Sequence, residues 1–301
     1  MTRAAEASDE QFRAQIEPFR VALVDLVGQT RGLREAASYH PAADAPAMGE
    51  LAEEHRFAGE WGQEPVRTAH SASWICFTAT EDLITAFCRL FEHGPPPVYA
   101  HLVLARAALE SCARAAWLAE PGITLRRRIA RGVNERLYSL AEQVRLPGVP
   151  GTQALARRRS ILDEAHRQGF DKVSGKGQSV VSVLEPRKAN TALVKWLLEN
   201  PDDDLGELAY RFWSSIAHST LYGLAQSFGS PVTQTSSLDL MATVPVMVTA
   251  EQVQVAMTTV GLAYVEAGRR HEQLFGWRSD GWDRTVVNYR ALLPSVRGRG
   301  A

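Results

Sequence analysis

Hydrophobic residues recur every three to four positions along most of the chain, which is the spacing of one face of an α-helix. Proline and glycine pairs interrupt the pattern, and each interruption is typical of a helix end. The predicted helices cover 8–37, 48–61, 66–92, 98–119, 123–146, 152–168, 188–199, 204–228, 250–275 and 280–294. Pro18 lies inside the first of these, where it predicts a kink or a later helix start.

Alternation typical of β-strands is short. The segment 231–248 predicts a hairpin or an ordered loop, and the loop 170–187 allows a short strand at Val180–Leu184. We therefore predict an all-α fold, a single multi-helix bundle over residues 1–301 with a small irregular or β-hairpin-like insertion near 231–248. Its parts are an acidic N-terminal helical region, a helical core and C-terminal helices, at 1–64, 66–228 and 250–294.

Composition supports a globular protein. Hydrophobic residues make up 45% of the 301 and charged residues 22%, which excludes a disordered or fibrous chain. The balance of 33 basic and 34 acidic residues excludes a strongly cationic nucleic-acid coat protein. The three cysteines lack any paired spacing and are interpreted as buried thiols. Because neither a signal peptide nor a membrane-length apolar run is present, we expect a cytoplasmic protein without a membrane partner.

Charge is unevenly distributed along the chain. Residues 1–64 are acidic, whereas 123–160 contain nine arginines against Glu135 and Glu142. One interpretation is a basic surface that meets the phosphates of RNA, formed by Arg126, Arg127, Arg128 and Arg131. The alternative is a solvated face whose partner is the acidic N-terminal region.

Several motifs that would carry chemistry are incomplete. The DEAH string at 163–166 has no upstream phosphate loop, and Gly175-Lys176-Gly177 lacks the residues of such a loop. A DDxxE string at 203–207 is similar to the magnesium motif of terpene synthases, but its position after Pro201 is typical of a helix start. The histidines show no metal-binding spacing. The sequence therefore predicts no metal site and no cofactor.

The predicted helix 204–228 carries a polar stripe on an otherwise apolar sequence. Arg211 and His218 are two turns apart and therefore share a face, which suits a fixed cation and a general acid or base. The candidate substrate-binding residues beside them are Ser214, Ser215 and Tyr222. Two structural alternatives remain open, a solvent-exposed face with a Glu207–Arg211 pair and a buried polar network.

The predicted helix 98–119 is rich in alanine but also contains charged residues. Arg106, Glu110 and Arg114 recur every four residues, so that Glu110 is predicted to be held ionised between two arginines. Arg106 and Glu110 are the further candidates for substrate binding. The structural alternative is an internal salt bridge that packs two helices together.

Arg211-x6-His218 late in a helical protein resembles the R-x4-6-H signature of the HEPN superfamily. The text of helix 98–119 is also similar to that of uncharacterised actinobacterial all-helical proteins. The resemblance covers roughly 98–228. It implies a helical-bundle domain that binds RNA or nucleotide, with Arg211 and His218 as catalytic residues of a metal-independent ribonuclease and a homodimer as the functional unit. Two other classes remain open: a small-molecule enzyme or binding protein of specialised metabolism with a pocket among the helices, and a non-catalytic regulatory or interaction protein.

Overall fold

The computed structural model describes residues 3–92, 97–174, 181–199, 205–220 and 248–293, and within them the fold is all-α. The helices are α1 (Arg3–Ala36), α2 (Pro46–Ala52), the 3-10 helix η1 (Glu54–Phe57), α3 (Pro65–Arg89), α4 (Ala100–Leu118), α5 (Leu125–Gln143), α6 (Val149–Arg167), α7 (Asn190–Leu197), α8 (Leu205–Ala217), α9 (Ala250–Phe275) and α10 (Asp280–Ala291). Two short antiparallel strands, β1 (Lys172–Val173) and β2 (Ser182–Val183), lie between α6 and α7.

Helix α4 is the centre of the bundle. It packs against α3, α7, α8 and α9, and its alanines let those helices approach closely. Leu109, Cys112 and Trp117 are fully buried with them in the main apolar core. Packing against several helices explains why the apolar residues of α4 are not confined to a single stripe.

A second apolar cluster joins α5 and α6 to the loop before α3. Trp61 and Phe170 lie edge to face there, with ring centroids 5.2 Å apart. Gly132 of α5 faces Ala69 of α3 so closely that a Cβ on Gly132 would lie 2.7 Å from the Ala69 Cα. The backbones of α3 and α5 therefore meet with no side-chain layer between them at this point.

The predicted elements are largely confirmed, with local corrections. Helix α1 runs from Arg3 through Pro18, so the prediction of a later start is wrong. The segment 48–61 forms α2 and η1 instead of one helix. The strand predicted at Val180–Leu184 is confirmed by β2, whose Val183 is held by the Asn134 amide through hydrogen bonds of 2.8 and 3.1 Å.

Helix α8 ends earlier than predicted. Ser219 adopts a left-handed backbone with φ of 52°, and the Thr220 N–H donates to the Ser215 carbonyl, a pattern that closes a helix C-terminus. The prediction that the helix continues through 218–220 is therefore wrong. The rest of that predicted helix, and the insertion predicted near 231–248 except for Val248, lie outside the described residues.

A buried polar cluster connects α1, α3 and α9. The Arg34 guanidinium donates to both oxygens of Glu81 at 2.6 and 2.5 Å, and the Tyr264 hydroxyl donates to Glu81 at 3.0 Å. Thr30 is also hydrogen-bonded to Glu81 and Tyr264. Because these polar groups satisfy one another, the cluster fixes the relative positions of the helices instead of offering a free binding group.

The cysteines of the described residues carry free thiols. Cys88 and Cys112 are buried and Cys76 is half-buried. Burial raises the pKa of Cys76 to about 11 and those of Cys88 and Cys112 to about 12. The thiols therefore stay protonated near neutral pH and are poor nucleophiles.

Candidate functional site

The α8 residues predicted to be catalytic lie in solvent. Arg211 is exposed and its guanidinium forms a 2.7 Å ion pair with Glu207, one helical turn earlier. Lys195 of α7 pairs with the same carboxylate at 2.8 Å. These two hydrogen-bonded cations lower the pKa of Glu207. His218 is also exposed and lies one residue beyond the last residue of α8.

This arrangement agrees with the solvent-face alternative for α8. Of the predicted substrate-binding residues, Ser214 and Ser215 are half-buried. The Ser215 hydroxyl donates to the Phe212 carbonyl at 2.7 Å, and the Ser214 carbonyl accepts from the His218 N–H at 3.0 Å. Tyr222 lies outside the described residues. Neither Arg211 nor His218 belongs to the wall of the cavities described below.

The charged residues of α4 connect helices. Arg106 and Glu110 form an ion pair at 2.9 Å, and Glu110 accepts hydrogen bonds from Tyr210 of α8 at 2.9 Å and Asn190 of α7 at 2.7 Å. Burial and the neighbouring Glu110 raise the pKa of Tyr210. Arg114 instead pairs with Glu135 at 3.0 Å. The prediction of Glu110 between two arginines is therefore wrong in its second partner.

The four arginines predicted to form a basic surface divide into two pairs. Arg126 caps the end of α6 by donating to the carbonyls of Gln168 and Gly169, at 3.2 and 2.8 Å. Arg127 is exposed and pairs with Glu185 at 2.7 Å. Both remain accessible at the edge of the molecule, although each already has a partner.

Arg128 and Arg131 are buried, each with 1% of its side chain exposed, so the prediction that they belong to a basic surface is wrong. Their guanidinium groups point at the C-terminal end of α4, whose last carbonyls have no partner within the helix. Arg131 donates to the Trp117 carbonyl, and Arg128 donates to the Leu118 carbonyl at 2.7 Å. Cations at this end of a helix also interact favourably with its dipole.

Carboxylates complete this buried arrangement. Glu50 of the acidic N-terminal region binds Arg128 at 3.1 Å, so the partner predicted by the alternative is found for Arg128, but its prediction of a solvated face is wrong there because Arg128 is buried. Burial opposes ionisation of Glu50, but hydrogen bonding from His70 and the charge of Arg128 lower its pKa below the usual value. Glu120 and Glu185 bind Arg131 at 2.6 and 2.7 Å. The Trp117 and Leu118 carbonyls at the C-terminal end of α4 are thus paired, whereas the buried indole Nε1 of Trp117 has no hydrogen-bond partner.

The N-terminal end of α4 adjoins a cavity of about 550 Å³. The wall comes from α4, α8 and α9 and is mainly apolar, with Leu102, Leu208, Phe212 and Trp213 among its members. Thr249, Glu251 and Gln252 bring polar groups from the start of α9. A space of this size and composition suits a small organic molecule.

His101 is the buried titratable residue of this wall, with 1% exposed. Its Nδ1 donates to the Pro97 carbonyl at 3.0 Å, which leaves Nε2 as an acceptor. Nε2 is buried and has no hydrogen-bond partner. Burial lowers the pKa of His101, so the ring is neutral at pH 7.

Sequence reasoning missed His101 because it examined the histidines for metal spacing alone. The available signal was its place in the first turn of a helix that is otherwise alanine- and leucine-rich. A polar residue in such text is buried, and a buried polar group requires a partner.

Within the described residues, no three histidine, cysteine, aspartate or glutamate side chains lie close enough together to hold a metal ion. Among the helices that the structure describes, none combines the length and apolarity of a bilayer crossing.

No family model matches the chain, and neither a curated protein nor a solved structure matches it.

Proposed function

We propose that this protein binds an apolar small molecule that carries a hydroxyl or N–H donor, in the cavity at the N-terminal end of α4. The observation that carries the proposal concerns His101, a residue of that cavity's wall whose buried Nε2 is an acceptor without a hydrogen-bond partner. An unsatisfied buried polar atom is costly, and a donor on the ligand would supply the missing hydrogen bond.

The rest of the wall supports the same ligand class. Leu102 and Trp213 are buried, and Leu208 is exposed at the cavity wall, so an apolar body would be covered by carbon atoms. Apolar burial then supplies most of the affinity, while His101 orients the donor. The polar groups of Thr249 and Gln252 lie where the ligand would meet the start of α9.

A matched pair of probes tests the proposal: 2-naphthol, which donates a hydrogen bond, and 2-methoxynaphthalene, which does not. Binding is measured by the change in probe fluorescence at pH 8. We expect the wild-type protein to bind 2-naphthol about five- to tenfold more tightly than its ether, the value of one hydrogen bond. His101→Phe keeps an aromatic ring without Nε2, and the two probes should then bind equally.

Two variants locate the probe. Leu208 is 64% exposed in the cavity wall and Ile75 is 69% exposed on α3, outside it. Leu208→Trp should weaken binding of both probes, whereas Ile75→Trp should change neither. An unchanged preference for 2-naphthol in His101→Phe, or equal effects of the two tryptophan variants, would contradict the proposal.

A second candidate function is a HEPN-like protein that binds and cleaves RNA as a homodimer. The supporting observation is that Arg211, in the middle of α8, and His218, just after its end, are both exposed, where a large ligand or a second copy of the chain has access. In this function His218 would move the proton of the attacking 2′-oxygen, and Arg211 would stabilise the phosphate charge.

Cleavage of a labelled single-stranded RNA in EDTA tests the second candidate. His218→Ala and Arg211→Lys should each reduce the cleavage rate by at least about 100-fold while thermal stability is retained. The matched controls are His55→Ala, at another exposed histidine, and Arg269→Lys, at another exposed arginine paired with a glutamate of its own helix. Equal cleavage by all four variants, or none by the wild type, would reject it.

A further inference from the structure

A second cavity, of about 490 Å³, adjoins the second apolar cluster at Trp61 and has a mainly polar wall. It opens between the loop before α3, the first turn of α3, α5 and α6. The wall consists of Trp61, Gly62, Gln63, Glu64, Thr68, Arg136 and Arg157. None of these residues belongs to the cavity beside His101.

The loop that forms one side of this cavity is held in place. The buried Trp61 donates from its indole Nε1 to the Phe57 carbonyl at 2.7 Å. The backbones of Gly59 and Gly62 exchange two hydrogen bonds, of 3.1 and 2.9 Å. Gly62 has φ of 137°, a conformation that other residues rarely adopt. The loop therefore offers a preformed wall.

Arg136 of α5 and Arg157 of α6 line this cavity, and their partners differ from those of three other arginines of α5. Arg127, Arg128 and Arg131 each pair with a carboxylate. Arg136 donates to the Trp61 carbonyl, and among the residues that the structure describes neither it nor Arg157 has a carboxylate partner. Two guanidinium groups thus line one space without a negative charge bound to either.

The pKa of Arg136 agrees with the lack of a carboxylate partner at this cavity. Burial and the positive charge of Arg157 lower the pKa of Arg136, which is the effect of an uncompensated neighbouring cation. Glu64 also lines the cavity, but its carboxylate pairs with Arg67 at 3.3 Å. An anion placed between Arg136 and Arg157 would remove the repulsion and would supply the missing partner of both.

We propose that this cavity binds the phosphoryl group of a small phosphate monoester or free phosphate, held between Arg136 and Arg157. Guanidinium groups match the oxygens of a phosphate, and two of them neutralise its charge near pH 7. The site goes beyond the proposed function because it lies on other elements and takes a charged rather than an apolar ligand.

Thermal unfolding of the full chain, and calorimetry, at constant ionic strength test the site. Inorganic phosphate, but not chloride, should raise the melting temperature and bind saturably. Arg157→Ala, at an exposed residue, should weaken phosphate binding about tenfold or more. Arg159→Ala removes the same charge from α6 outside the cavity wall and should change binding less than twofold.

A third arm compares inorganic phosphate with AMP. Tighter binding of AMP identifies a nucleotide as the source of the phosphoryl group, and equal binding identifies free phosphate or another monoester. Both results support the site if Arg157→Ala abolishes them. Equal effects of phosphate and chloride, or equal losses in Arg157→Ala and Arg159→Ala, overturn the proposal. Because the two cavities share no wall residue, failure here leaves the naphthol result unaffected.

Discussion

The two ends of α4 differ in how their polar groups are satisfied. At the C-terminal end, the carbonyls of Trp117 and Leu118 accept hydrogen bonds from Arg131 and Arg128. At the N-terminal end, His101 keeps an acceptor without a partner beside a large apolar cavity. We call the first the closed end, because its last main-chain carbonyls are paired by arginines, and the second the open end, because a histidine acceptor beside the cavity is unpaired.

The contrast separates structural charge from binding capacity. A buried arginine whose N–H groups already donate to carbonyls and carboxylates has no donor left for a ligand, even where the surrounding sequence is basic. A neutral histidine with an unused lone pair has such capacity although it contributes no charge. Satisfaction of hydrogen bonds, rather than charge density, therefore indicates where this protein can bind a partner.

Removing a buried arginine from the closed end should have the largest effect on stability. Arg131→Met leaves the Trp117 carbonyl and the Glu120 carboxylate without their buried partner, so we expect the free energy of unfolding to fall by about 3 to 5 kcal/mol. Urea denaturation followed by circular dichroism measures the change. If this variant does not fold, Arg131→Lys restores the charge without the fork of donors and should be intermediate.

Arg127 supplies the matched control, since it binds the same Glu185 carboxylate but is 46% exposed. Arg127→Met should cost no more than about 1 kcal/mol, the usual value of an exposed ion pair. Equal losses in the two methionine variants would mean that burial at the end of α4 does not decide the contribution of an arginine.

A smaller effect, visible as a pH dependence, should come from the open end. Burial lowers the pKa of His101 below its ordinary value of 6.5, whereas an unfolded chain titrates near that value. As pH falls below about 6.5, His101 therefore becomes protonated in the unfolded state while it stays neutral in the folded state, and wild-type stability declines. His101→Phe lacks this loss and should gain stability relative to wild type by up to about 1.4 kcal/mol per pH unit.

The measurement is the difference in unfolding free energy between the two proteins at pH 8, 6.5, 5.5 and 5. Taking the difference removes the contribution of His271, whose pKa burial lowers to about 4. The stability contributed by the closed end changes at lower pH. Because the pKa of Glu50 is lowered, protonation of its carboxylate reduces stability only below pH 4.5. A difference that is constant with pH would show that His101 is not buried as described.

Most of the fold was predictable because it depends on local patterns. Apolar spacing and Pro/Gly pairs identify α3 to α6, and the Thr249 capping box marks the start of α9. The end of α8 was missed because Ser219 adopts a left-handed conformation for which the sequence gives no glycine signal. Local propensity also gave no reason for α1 to continue through Pro18.

The candidate site was less predictable, because its properties depend on distant partners. Arg126, Arg127 and Arg128 are consecutive, yet successive helical residues point about 100° apart, so a single run faces both solvent and core. Which one is buried depends on Glu50 and the end of α4, which the run alone does not reveal. By contrast, the Glu207–Arg211 pair follows from spacing within one helix and was anticipated.

The central position of α4 also affects how the chain folds while it is being synthesised. Its burial is completed by α9, whose residues 250–275 are synthesised well after residues 100–118. At usual rates of translation, α9 follows α4 after roughly 10 to 30 s. During that interval the central helix α4 lacks one of the helices that bury it, so a nascent chain of this protein exposes a surface suited to chaperone binding until α9 has been made.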